Sequence, residues 1–184
     1  RTRIGTDVDI YGNLAVSSLP RVSDEGLVGL WRFDNSLINA IDGGTGTEGG
    51  TITYQEGVSG REAVFDGSSY LDTGSTTLGD GLFADAGNSF TVSAWFSTES
   101  DGTVIGRGAS TVGDRVFQIF ANPNLQINIR GISTNLSIYA TDGVRRHVVV
   151  TWDGSTAKAY VNGELVDDDL NVGTATEDAG QRII

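Results

Sequence analysis

His147 is the only histidine in the chain, so a catalytic triad or a histidine-based metal site would rest on it alone. There is no cysteine, which excludes disulfides and thiolate metal sites. Zinc and nucleophilic catalysis therefore have little to build on. Carboxylates are plentiful, and glycoside hydrolysis would need two of them about 5–9 Å apart. On one strand that spacing calls for acids two or four residues apart on the same face. The densest acidic run, Asp167-Asp168-Asp169, follows a hairpin strand and reads as a solvated loop. Calcium takes oxygen ligands from carboxylates and loop carbonyls. Asp34, Asp42 and Asp66 sit in turns and are the candidate ligands, with turn capping as the competing role for Asp34 and Asp66. A sugar site needs aromatic faces beside polar groups, because sugars offer apolar C–H faces and polar rims. Arg107, Asn128, Arg130 and Tyr139 are the residues expected to line such a site on a sheet face or its loops. Trp31, Trp95 and Trp152 fall within or at the ends of strands and are assigned to the core or its margin.

Charge narrows the partners. The net charge is −12, Lys158 is the sole lysine, and Arg145-Arg146 is the only adjacent basic pair. Nucleic acid and anionic membrane are not expected partners, since binding phosphates requires a basic face. The acidity serves solubility or cation binding in loops. No apolar run is long enough to span a bilayer, and no signal peptide is visible. The chain lacks methionine and begins with Arg1, so a processed product or part of a longer protein is expected.

The elements that must position these residues are strands. The 26 glycines and two prolines point to many tight turns. Residues 1–22 read as an N-terminal arm, with Gly12-Asn13 as a turn and Ser17–Ser23 as a connector; 23–184 form the main domain. Within it, the apolar run Leu27–Phe33 is expected as the opening strand, and Asp42–Gly50 is a glycine-rich loop too polar to pack. Ser89–Ser97 gives the clearest strand, with Phe90, Val92, Ala94 and Phe96 on one face. Further strands are expected at Thr51–Tyr54, Ala63–Phe65, Tyr70–Asp72, Thr103–Gly106 and Val116–Ala121. Others follow at Leu125–Arg130, Asn135–Tyr139, Arg146–Thr151, Ala157–Val161 and Glu164–Val166. Asn162-Gly163 between apolar runs signals a tight hairpin. Only Leu78–Ala86 invites a helical turn. About a dozen short strands at this spacing predict an all-β, two-sheet antiparallel β-sandwich with a short N-terminal β arm.

Four segments in order resemble laminin-G-like, concanavalin-type jelly-roll domains related to pentraxins. They are Leu27–Asp34, Gly60–Leu71 with its Asp66-Gly67-Ser68 turn, Ser89–Phe96, and Arg146–Ser155 followed by Ala159–Gly163. The resemblance implies a concanavalin-like jelly roll and a packing role for His147. It also brings glycoside hydrolases into view, but the E-x-D-x-x-E pattern of such hydrolases is absent. The closing strand usual for such domains is missing as well, which again suggests a longer parent protein. The arm segment Ile10–Val16 is similar to short glycine-asparagine repeats of phage tail fibres. The leading expectation is a non-catalytic recognition module for a glycan or cell-surface ligand, on a secreted or virion-surface protein. The arm would contact other virion or surface proteins, with a homotrimer as one arrangement. A structural decoration domain of a phage particle is the alternative, and a glycosidase a weaker third.

Overall fold

The alternation of apolar and polar residues is realised as strands throughout a computed structural model, which describes residues 26–57, 60–74, 89–108 and 115–174. The 1–22 arm and the turn considered at Leu78–Ala86 lie outside the described residues. Among those described there are twelve β-strands and no helix.

Two four-stranded antiparallel sheets form the body. One contains β5 (Phe90–Phe96), β10 (Arg146–Trp152), β11 (Ala157–Val161) and β12 (Glu164–Asp167), in the order β12-β11-β10-β5. The other is a meander of β6 (Gly102–Gly108), β7 (Arg115–Asn122), β8 (Asn124–Ile129) and β9 (Ile132–Tyr139). Both have one apolar face. In β10 and β11, Val148, Val150, Trp152, Ala157, Ala159 and Val161 turn inward. Across from them, Phe117, Ile119, Ala121, Leu125, Ile127 and Ile129 come from the meander, and all belong to one core cluster. Phe90 meets Phe117 edge-on at 5.6 Å between ring centroids, joining the two layers. This two-layer packing is the antiparallel β-sandwich that the strand pattern predicted.

Turn chemistry closes the hairpins. Asn162 and Gly163 have φ of 52° and 85° and make the tight β11–β12 turn, the hairpin expected from sequence between Ala157–Val161 and Glu164–Val166. Asn162 also ties back across the sheet: its Oδ1 accepts the His147 N–H at 2.9 Å.

Two expectations are corrected. Leu27–Phe33 is not a strand; it contributes only an isolated bridge from Trp31 to Asn39. Its backbone is served instead by the fully buried Asn39, whose Oδ1 accepts from Leu30 and Ile41 while its Nδ2 donates to Val28 O. A side chain thus replaces a neighbouring strand. The glycine-rich loop, in contrast, does pack: β1 (Thr47–Gly49) pairs with β4 (Tyr70–Asp72), and the Tyr70 ring lies where a Cβ on Gly49 would stand. Beside them, β2 (Thr53–Glu56) and β3 (Arg61–Val64) form a hairpin, tied to the sandwich by the Glu62–Arg145 ion pair.

Candidate functional site

Because the meander buries Phe117, Ile119, Leu125 and Ile127, the residues between them must point to the opposite face. The register then aligns Gln118 with Asn128, Phe120 with Gln126, and Gln126 with Asn135. The result is a face lined by side-chain amides around one aromatic ring. Lateral hydrogen bonds fix it: Gln118 Nε2 donates to Thr103 Oγ1 at 2.6 Å, and Asn128 Nδ2 to Ser133 Oγ at 3.0 Å. Gln126 Nε2 donates to Asn122 O at 3.0 Å, and Asn124 Nδ2 to Asn135 Oδ1 at 3.4 Å. One end of this face is closed, with Val116 and Asn128 fully buried. The other end is open: Asn122, Asn135 and Tyr139 are exposed, and Gln126 and Phe120 half-buried. Each amide carries both donors and acceptors, which is the complement of a hydroxyl-rich ligand.

The four residues expected to bind a sugar do not share one surface. Arg107 lies opposite Phe117 in the register and is only 2% exposed, so it is a buried residue and not a surface one. Asn128 is 0% exposed, and its Oδ1 accepts from Gly131 N while its amide donates to Ser133. Arg130 occupies the β8–β9 turn, half-buried and with φ of 52°. Tyr139 is 55% exposed but pairs with Asn124, four residues along β8 from Asn128, roughly 13 Å away at strand rise. Phe120, Gln126 and Asn135, the residues at the open end, were not singled out from sequence. Their shared parity with Asn128 in consecutive strands was the available signal.

The carboxylates serve turns. Asp34 Oδ1 accepts from Arg61 N at 3.1 Å, and Asp42 Oδ1 from Gly44 N at 2.8 Å. Asp66 Oδ1 accepts from Ser68 N, Ser69 N and the Ser68 hydroxyl, which lowers its pKa to about 2. Asp153 takes the same arrangement with Thr156 and Ser155 and also falls to about 2. The Arg146 guanidinium grips both oxygens of Asp142 and holds that carboxyl well below its ordinary range. Arg145 and Gln55 lower Glu62. Asp34, Asp42 and Asp66 do not gather: among the described residues, no three His, Cys, Asp or Glu side chains come together as a metal-sized group. Asp168 and Asp169 are exposed beyond β12, as a solvated loop would be.

Trp95 corrects the tryptophan assignment. It is 64% exposed on the solvent face of β5, while Trp152 is buried. The alternation that put Phe90, Val92, Ala94 and Phe96 inward required this. Opposite it in the register stands His147, whose ring stacks on the indole at 4.7 Å and 20°. His147 Nε2 lies 2.8 Å from Ser93 Oγ. The histidine therefore packs, but on the outer face of the sheet.

Fold and site together describe a two-sheet antiparallel jelly roll with an amide-lined face. Residues 65–184 match the family model of the concanavalin A-like lectin/glucanases superfamily, and the chain belongs to that superfamily. No curated protein matches the sequence. Among solved structures, the chain is similar to domain 4 of AbnA, a GH43 extracellular arabinanase from Geobacillus stearothermophilus, in complex with arabinotriose. The identity is 24% and the TM-score 0.59, over 83% of this chain and 79% of that one. It is also similar to the binding domain of Paraclostridial Mosquitocidal Protein 1, at 13% identity and TM-score 0.55, over 84% of this chain and 42% of that one. Both likenesses concern the fold.

Proposed function

We propose that this domain is a non-catalytic glycan-recognition module whose ligand lies on the open end of the meander's outer face. The observation that carries the reading is the cross-strand set Phe120, Gln126 and Asn135, with Asn124 and Tyr139 beside it: amides held by lateral hydrogen bonds around an aromatic ring. Such a set meets hydroxyls with paired donors and acceptors and gives a sugar's C–H face a ring to rest on. Membership of a superfamily that includes lectins supports the reading, as does the arabinotriose in the AbnA domain complex. The carboxylates favour binding over hydrolysis. Glycoside cleavage needs one acid whose pKa is raised, whereas among the described residues each carboxylate with a clear shift moves down through hydrogen bonds. In this reading the module sits on an extracellular or virion-surface protein, supported by the tail-fibre likeness of Ile10–Val16.

Titration calorimetry against arabinotriose, cellotriose, maltotriose and chitotriose tests it. Binding of at least one is expected, and Gln126→Ala with Asn135→Ala should weaken it by about thirtyfold, since each of the two lost hydrogen bonds is worth about 1 kcal/mol. Absence of heat with all four, or unchanged affinity in the double variant, overturns the assignment. Release of reducing ends from the corresponding polysaccharides would replace it with hydrolysis.

A further inference from the structure

The second sheet also presents an outer face, and its chemistry differs. Across β5, β10, β11 and β12 the register lines up Ser93, Val149, Tyr160 and Leu165 in one row. Trp95 and His147 flank this row on one side, and Thr151 and Lys158 on the other. Leu165 is exposed, Val149 and Tyr160 are half-buried, and Trp95 is the most exposed of the large apolar side chains among the described residues. A bare tryptophan on a sheet costs free energy in water unless something covers it. The indole is also oriented in advance: His147 stacks on it, and the histidine is itself held by Ser93 Oγ and by the Asn162 cap on its backbone N–H. Preorganisation of this kind lowers the entropy cost of binding.

Charge selects the occupant. On a chain of net charge −12, these rows carry no carboxylate, and Lys158 is their only lysine or arginine. Within these rows a cationic partner finds no counter-charge and a polyanion finds one lysine, while Arg145, two residues before His147, is already neutralised by Glu62. A second copy of the chain would bring its own −12 against the first. What fits is an uncharged ligand with flat apolar faces and hydroxyl edges. Length follows from the spacing: Trp95 and Tyr160 are two strands and two residues apart, roughly 12 Å from strand separation and rise. Two rings so placed are too far apart for one sugar and meet different units of one chain.

We infer that the outer face of the β5–β10–β11–β12 sheet is a second binding surface, for an extended neutral polysaccharide, with Trp95 as its anchor. It is independent of the amide-lined face on the other sheet. The test is adsorption of the full chain to insoluble cellulose, chitin, mannan and arabinan. Wild type is expected to partition onto at least one, and Trp95→Ala to reduce that partition about tenfold, the scale of one aromatic stacking contact with its buried area. In the Gln126→Ala, Asn135→Ala background, which removes the contribution of the amide-lined face, Trp95→Ala should still reduce adsorption about tenfold, which separates this surface from the other. As a second readout independent of any variant's folding, adsorbed wild-type protein should show reduced acrylamide quenching of tryptophan fluorescence. Adsorption to none of the four, or equal adsorption by wild type and Trp95→Ala, overturns the inference. So does concentration-dependent dimerisation in light scattering that Trp95→Ala abolishes, because it assigns the face to a second copy.

Discussion

Individual carboxylates in this domain act mainly as caps, and acid should expose that role. Asp66 and Asp153 ionise near pH 2 because backbone N–H groups and serine hydroxyls solvate their charged forms, and Asp142 is held low by Arg146. An unfolded aspartate ionises near the ordinary value of 3.8. Each of these groups is thus easier to ionise folded than unfolded. The stability they lend is complete above about pH 4 and drains away as pH falls through 2. Urea midpoints measured at pH 6, 4, 3 and 2.5 should hold between the first two and drop over the rest. Asp153→Asn should make that drop shallower. The capping role of Asp66 was legible from its Asp-Gly-Ser-Ser context, whereas Asp34, for which capping of its own turn was one expectation, accepts from a distant backbone N–H instead. That partner was not legible, because Arg61 lies 27 residues away and only the fold brings its N–H there.

Elements were readable where local pattern and tertiary demand agreed. Strict alternation in β5, β10 and β11 gave both the strands and their inward faces. It failed at Leu27–Phe33, where apolar content suggested a strand but the buried Asn39 supplies the hydrogen bonds. It failed in the opposite sense at β1, where glycine-rich sequence argues for a loop and Tyr70 needs the missing side chain. The β11–β12 turn shows agreement at its fullest, and it can be tested. Asn162 holds φ of 52° and caps His147. Asn162→Ala should cost about 1–2 kcal/mol, combining the left-handed penalty with a lost hydrogen bond. Asn162→Gly should cost less, because glycine removes the first term and leaves only the second. Chemical denaturation of the three proteins separates the two contributions.

For the whole molecule, the sandwich and its superfamily were legible because four signatures recur in order along one chain, a property of sequence alone. The position of a binding face was not. Arg107 and Asn128 have the chemistry of ligand residues, and only the register shows that one lies opposite Phe117 and the other is closed over. Conversely, Trp95 has the composition of a core residue and the parity of a surface one, and parity decided. With two differently furnished outer faces, one amide-lined and one aromatic, the domain has two places where a ligand can approach a sheet broadside.

The strand order also bears on how fast the chain reaches this state. Every pairing in the meander joins consecutive strands, whereas β5 must wait for β10 until the entire meander has been synthesised and threaded between them. Closing that long loop is entropically slow, and it gains little until the intervening hairpins have shortened it. The rate-limiting barrier should therefore hold a formed β7–β8 hairpin and an unmade β5–β10 ladder. In stopped-flow kinetics, Ile127→Ala should chiefly slow refolding, while Val150→Ala should chiefly hasten unfolding. The reverse pattern would mean that the long-range ladder nucleates first.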